Sequence, residues 1–399
     1  MQETIKMVSH KPTGHSQWDG TFTKKVAETA MHFHKTIPGY APTPLADLKG
    51  LAGVLGIGAL YVKDESYRFG LNAFKGLGGS FCIANYLAEK LGLVIEDVTF
   101  ARLQEPAVHE QIKDLCFVTA TDGNHGRGIA WTAHCLGVKS RVFMPKGSSL
   151  ERLHNIQALG SDACITEFNY DDTVRHATKV AEENGWPLVQ DTAWGGYETI
   201  PSWIMQGYTT MALEAVKALP KPPTHVFLQA GVGAMSGALT GFLADYYGTE
   251  KPVITIVEPN RADCIFHTAA ANDGKLHVVT GDLHTIMAGL ACGEPCTIGW
   301  EELNAHTEHF ASVPDWVAAK GMRILANPVE GDPKVISGES GAATTGFVCE
   351  LLQNQSLDLL REELGITKDS RVLCFSTEGA TDRANYRRIV WDGAWESDR

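Results

Sequence analysis

A chain of 399 residues with 44% hydrophobic content has enough apolar mass for two or three packed domains, which excludes a disordered or a small disulfide-stapled protein. Its 47 acidic residues outnumber the 34 basic ones, and the formal net charge of −13 repels nucleic acid over most of the surface, so the expected partner is a small molecule. Residues 1–22 are polar and lack the apolar run of a secretory leader; the cytoplasm is the default location and no membrane partner is expected.

In chain order, short apolar or β-branched runs at 59–63, 116–120, 141–144, 163–166, 188–190, 225–229, 253–257 and 371–375 read as strands. The segments between them, such as 170–184 and 204–219, carry apolar residues at helical spacing, so the class is α/β with mainly parallel sheets. This many strands exceeds one small sheet; two lobes follow, each a mainly parallel sheet flanked by helices, with the site in the cleft between them. Residues 93–113 are charged and weakly periodic and read as a connector. The stretch 226–247 holds four glycines with Gln229 and Asp245, and reads as strand, glycine loop and buried helix rather than as a membrane span. Nine cysteines lack a CxxC pair or a zinc-site spacing, so no metal is expected and core thiols are the favoured reading. A pairing of Cys264 with Cys292 stays open, against the preference of a reducing compartment.

Four segments carry chemistry. Lys75 follows Phe74 at the apparent start of a helix reaching about Lys90, among apolar and small residues. Such surroundings disfavour the ammonium and suit an amine that acts as nucleophile and then as base, although a first-turn lysine reaching solvent is the preferred explanation of the decapeptide alone. The run Thr121, Asp122, Gly123, Asn124, His125, Gly126 follows a strand and opens a helix, a good anion site that competes with a simple Asp N-cap. The run from Gln229 through Gly231, Val232, Gly233, Ala234 and Met235 to Gly237 has the same strand-to-helix setting, and its backbone N–H groups suit a phosphate. A dinucleotide fold explains it too, because Glu258 ends the next strand where that fold wants an acid. The last, Ser376 to Gly379 with Thr377, means little singly, but four such loops at strand carboxyl ends converge on one crevice of a doubly wound fold.

Together these segments resemble the fold-type II family of pyridoxal-phosphate enzymes, which includes serine and threonine dehydratases, cysteine synthase and the tryptophan synthase β chain. The resemblance implies a tryptophan synthase β-like, two-lobed fold, with a large cofactor-binding domain from 1–92 and 192–399 and a small substrate-side domain from 93–191. It implies a homodimer, with Phe74 facing the cofactor ring and Lys75 bonded to it. Asn124 would face the phenolic oxygen, Thr121, Gly123 and His125 the substrate carboxylate, Gly231 to Met235 the phosphate, and Thr377 the pyridine nitrogen.

Longer strings at 63–66, 68–75, 190–194, 203–208, 286–295 and 336–342 are similar to the branch of this family that cleaves diaminopropionate. That resemblance implies α,β-elimination of 2,3-diaminopropionate, in both enantiomers, to pyruvate and two ammonia, with a serine or threonine dehydratase as the alternative. Two departures from the dehydratase pattern matter. Val232 replaces a glycine of the phosphate loop, keeping the backbone donor but losing conformational range. Asp122 replaces a serine that lies opposite the lysine in relatives that process D-amino acids, which adds an acid/base group. Chemistry points the same way, because Asp122 and Asp191 are two carboxylates suited to a β-ammonium and unnecessary for a hydroxyl; helix capping is the rival role for Asp191.

Overall fold

Ten strands form among the described residues, 4–121 and 123–396, of the computed structural model. They are β1 (Lys6–Ser9), β2 (Leu45–Asp47), β3 (Ala59–Asp64), β4 (Cys116–Ala120), β5 (Lys139–Met144), β6 (Asp162–Ile165), β7 (His225–Gln229), β8 (Val253–Pro259), β9 (His309–Val313) and β10 (Arg371–Ser376). One sheet has the order β1-β9-β8-β7-β10-β3-β2, the other β4-β5-β6. Every pairing is parallel except at the two edges of the large sheet, where β1 meets β9 and β2 meets β3 antiparallel. The central strand β7 is buried at every position and β8 at all but its first, as a parallel sheet covered on both faces requires, and this is why they read as apolar runs; β9 is equally buried but went unread, because His309 and Ser312 interrupt its apolar residues.

Seven of the eight expected strands form; 188–190 does not. Only a single bridge joins Leu188 to Val118. Beyond it, side chains replace the ladder: the Gln190 amide oxygen accepts from the Ala120 N–H at 2.9 Å, and the Tyr197 hydroxyl receives the Gln190 N–H at 3.0 Å and donates to the Leu188 carbonyl at 2.8 Å. The expected connector 93–113 is likewise mostly helical, with turns at Ile95–Asp97, Phe100–Leu103 and Pro106–Ile112 whose Val98, Phe100, Leu103 and Ile112 are buried in the main core.

Two features fix the helix that starts at Lys75. The first is a close crossing between Lys75–Leu91 and Thr199–Ala218, where a Cβ on Gly78 would sit 2.4 Å from the Tyr208 ring and one on Gly207 would sit 2.6 Å from the Leu77 carbonyl oxygen. Only glycines permit that approach. The second is a buried cluster of two cations and two anions behind the loop that leaves β3. Arg68 donates to both oxygens of Glu65 at 2.9 Å and to Glu214 at 2.7 and 2.9 Å, while Lys63 donates to Glu214 at 2.6 Å. Thr43 and Tyr40 complete the carboxylates' hydrogen bonding at 2.6 and 2.7 Å. Burial alone would raise the Glu214 carboxyl, but the Arg68 guanidinium and the Lys63 ammonium outweigh it and hold it at about 2.

From this anchor the chain turns through Phe69, Gly70 and Asn72, all at positive φ, with Phe69 stacked on Trp131 at 4.9 Å. The Phe74 N–H then donates to the Thr377 carbonyl at 3.1 Å, and the Gly379 N–H to the Asn72 carbonyl at 2.9 Å, so the β3 and β10 exit loops are tied together. No helix among the described residues is long and apolar enough to cross a membrane, and 226–247 is β7, a glycine loop and the helix Ala234–Tyr247.

Removing one member of a buried ion cluster strands its partners' charge. Glu214→Ala is therefore expected to lower the unfolding free energy by about 3–5 kcal/mol in urea titrations. Lys49→Ala, which breaks an exposed pair with Asp47, should change it by about 0.5 kcal/mol or less. Similar small losses for both variants would contradict the anchoring role.

Candidate active site

The carboxyl ends of β4, β7 and β10 and the start of the Lys75 helix surround one cleft. Of the residues singled out in the sequence, it brings together Phe74, Lys75, Thr121, Asn124, His125, Asp191, the five from Gly231 to Met235, and Thr377. Gly123 does not line it. That residue is the N-cap of the helix Asn124–Leu136 at φ +146°, and a Cβ there would strike the Arg152 side chain at 2.8 Å. Asp122 lies outside the described residues.

Lys75 sits at the floor, its ammonium ion-paired to Asp191 and 5.3 and 5.7 Å from the ring centroids of Phe74 and Tyr208. A carboxylate thus relieves the apolar surroundings that the sequence suggested. Burial would raise the Asp191 carboxyl, yet the Lys75 ammonium paired to it prevails and holds it below the usual carboxylate range. A depressed carboxyl contributes stability above its ordinary range near pH 4 and loses it as the pH falls toward 2, so the pair is intact at neutral pH. His125 is driven toward its neutral form, first by burial. Its Nε2 is 2.8 Å from the Val189 carbonyl, which can only accept, so Nε2 carries the proton and Nδ1 presents a lone pair 3.7 Å from Asp191. The ring in this tautomer accepts, so an anion at this helix start is left to the backbone N–H groups of its first turn. Thr121 Oγ1 accepts from the Gly123 and Gly126 N–H groups at 2.9 and 3.0 Å, closing that turn.

The glycine loop enters the helix Ala234–Tyr247 through Gly233 at φ +90°. First-turn N–H groups lack partners within a helix and carry its positive end, so the loop is built for an anion without a basic side chain. Opposite it, a Cβ on Gly231 would lie 3.1 Å from Leu290 Cα and 3.3 Å from Cys292 Sγ, which makes this a narrow cradle. Glu258, the acid that a dinucleotide fold would use for a ribose, is fully buried and accepts from the Ile265 and Phe266 N–H groups at 2.9 and 2.6 Å. It caps the helix Cys264–Ala271, and the dinucleotide alternative loses its acid.

Thr377 Oγ1 accepts from Gln229 Nε2 at 2.9 Å, so the group it offers the cleft is its own hydroxyl proton. The sequence reading gave no role to Gln229, Tyr170, Ser340 or Glu378, all of which line the cleft. Glu378 accepts from Asn124 Nδ2 at 2.5 Å and from the Ser340 N–H at 3.2 Å, linking two loops more than two hundred residues apart. As the one acid of the Ser376–Gly379 loop it was visible as a candidate. Nothing local marks Tyr170, the first residue of the helix Tyr170–Asn184, as a site residue.

Residues 36–358 match the family model described as pyridoxal-phosphate dependent enzyme. The chain belongs to that family. Diaminopropionate ammonia-lyase of Salmonella typhimurium is 51% identical over 373 residues, covering 92% of each chain. Holo diaminopropionate ammonia lyase from Escherichia coli superposes with a TM-score of 0.93 at 46% identity over 100% of both chains. The same Escherichia coli enzyme with an aminoacrylate-PLP azomethine reaction intermediate gives 0.91 at 45% identity, over 99% of this chain and 98% of that one.

The fold is accordingly the fold-type II pyridoxal-phosphate architecture, and the cofactor is pyridoxal phosphate. This family member has the features to hold it. His125 Nδ1 and Gln229 Oε1 are buried in the cleft wall without hydrogen-bond partners, the glycine cradle takes a group no wider than its backbone allows, and an amine stands at the floor. All nine cysteines are free thiols, Cys264 and Cys292 among them.

A carboxylate placed in the cradle should oppose the phosphate. Gly233 has positive φ, so Gly233→Ala measures strain alone and Gly233→Asp adds charge. In equilibrium dialysis the Asp variant is expected to hold pyridoxal phosphate at least about tenfold more weakly than the Ala variant, some 1.4 kcal/mol. Equal affinities would remove the phosphate from this loop.

Proposed function

We propose that this chain is an ammonia-lyase that eliminates both nitrogens of 2,3-diaminopropionate, in either enantiomer, giving pyruvate and two ammonia with uptake of one water. The observation that carries this reading is Asp191, a buried, ionised carboxylate at the cleft floor that already holds an ammonium, that of Lys75. A substrate losing ammonia needs such a carboxylate beside its β-nitrogen, and a substrate losing hydroxide does not. The named relatives, about half identical over nearly the whole chain, support the same substrate.

When bound, pyridoxal phosphate supplies a carbonyl carbon for the substrate amine and a ring that accepts electron density from Cα. The chain's own groups do the rest. Lys75 gives up its contact with Asp191 to the incoming diamine and, as a neutral amine, takes the Cα proton on its own face. Asp122 serves as the base on the opposite face, which extends the activity to the other enantiomer. Asp191 accepts hydrogen bonds from the β-ammonium and orients it for departure. First-turn N–H groups after Thr121 hold the substrate carboxylate, and the neutral Thr377 hydroxyl leaves the ring a moderate electron sink, suited to prompt elimination. We place the enzyme in the cytoplasm, which its free thiols fit, and as a homodimer like the family it resembles.

Coupled pyruvate assays on D- and L-diaminopropionate and serine, with 2-oxobutyrate read for threonine, test the reading. Diaminopropionate should exceed serine in kcat/KM by at least about tenfold, the least that one well-placed polar contact supplies. A preference for serine or threonine would make the chain a dehydratase.

For Asp122→Asn, turnover of D-diaminopropionate should fall by at least about a hundredfold with cofactor retained and much of the L-activity kept, the scale for losing a general base. A capping role for Asp122 predicts instead about 1 kcal/mol of lost stability and equal effects on both enantiomers.

A further inference from the structure

Three spaces meet at one side chain. The inner cleft is flanked by two outer chambers, and Tyr170 is the one described residue that borders all three. The inner cleft holds Lys75 and Asp191. The first outer chamber is walled by Arg152, Asp282 and Arg388, the second by Val174, Leu276 and Val278. Both outer chambers lie between the end of the helix Tyr170–Asn184 that carries the tyrosine and the irregular segment at 276–297. The Tyr170 ring therefore stands in the wall between the reacting groups and solvent.

Its position is set by an unusually constrained donor. Gln190 is fully buried, and its amide oxygen accepts from the Ala120 N–H at 2.9 Å and from Thr119 Oγ1 at 3.2 Å. Both of those partners belong to β4, so the amide orientation is fixed by a strand backbone. Gln190 Nε2 consequently points at the Tyr170 hydroxyl at 3.0 Å and at Asp191 Oδ1 at 3.4 Å. One amide thus holds the tyrosine and the floor carboxylate in register. The backbone beneath the ring is fixed as well, because Asn169 caps the helix by accepting from the Asp172 N–H at 2.9 Å.

Resting on the reading that Lys75 carries pyridoxal phosphate, we propose that Tyr170 is a positioning residue whose ring partitions the inner cleft from the two chambers and limits the access of water and small nucleophiles to the bond at Lys75. The aromatic ring does this, and the hydroxyl anchors it through Gln190. An elimination whose product must hydrolyse only after ammonia has left needs water excluded during the earlier proton transfer.

Hydroxylamine tests the partition without turnover. It is small and uncharged near neutral pH, it displaces a lysine amine from the cofactor carbon, and the loss of visible absorbance follows the reaction. In holoenzyme, Tyr170→Ala should lose its absorbance at least about tenfold faster than wild type, with Tyr170→Leu intermediate. Tyr170→Phe keeps the ring and should stay within about threefold of wild type, because it removes only one neutral hydrogen bond. Leu276→Ala widens only the second outer chamber and should leave the rate unchanged. Tyr170→Leu serves if the Ala variant does not fold. Wild-type rates in both Tyr170→Ala and Tyr170→Leu, or equal acceleration by Leu276→Ala, would overturn the partition. Absence of any hydroxylamine-sensitive absorbance in wild type would instead remove the cofactor–lysine reading on which it stands.

Discussion

Charge buried behind the catalytic loop constrains everything in front of it. Lys63, Glu65, Arg68 and Glu214 are withdrawn from water almost completely, and such groups persist only with neutralising partners and complete hydrogen bonding. The geometry that satisfies them leaves Arg68 little freedom, and the chain after it must turn through two non-glycine residues at positive φ. Those turns place Phe74 and Lys75 against the exit loop of β10. A weakly held loop would let the Lys75 amine wander by the ångström or so that costs a proton transfer its alignment.

The second consequence is electrostatic. The cleft positions one cation, Lys75, and one described carboxylate at its floor, Asp191, and its glycine loop offers an anion backbone dipoles alone. A basic side chain in the cradle would compete for Asp191 and blunt its affinity for a substrate ammonium. The backbone solution instead requires glycine, at Gly231 for the close approach of the 289–292 segment and at Gly233 for its positive φ. Val232 leaves the loop's backbone donors in place, and its side chain borders the second outer chamber.

Much of this was legible in the sequence because parallel strands buried on both faces leave continuous apolar runs, and the loops after them carry glycine and polar residues. The antiparallel edges β1 and β2 were not legible, since three or four half-buried residues carry no clear period. The run at 188–190 misled for the opposite reason: its apolar character reflects burial, but Gln190 and Tyr197 take over the hydrogen bonds of a strand. Glu258 showed how a local motif fails. Its place at the end of a strand fitted a ribose, and only the cap it makes on a helix seven residues later reveals its use. Tyr170 and Glu378 act through partners distant in sequence, and no spacing within one segment announces such a contact.

All four strand-end loops matter only if they converge on a single reactive amine. Borohydride reduction of the holoenzyme fixes the cofactor permanently to whichever lysine holds it, and peptide mass mapping then identifies that residue. The modified peptide should be the one containing Lys75. Modification of a different lysine, with the Lys75 peptide left unaltered, would contradict the account.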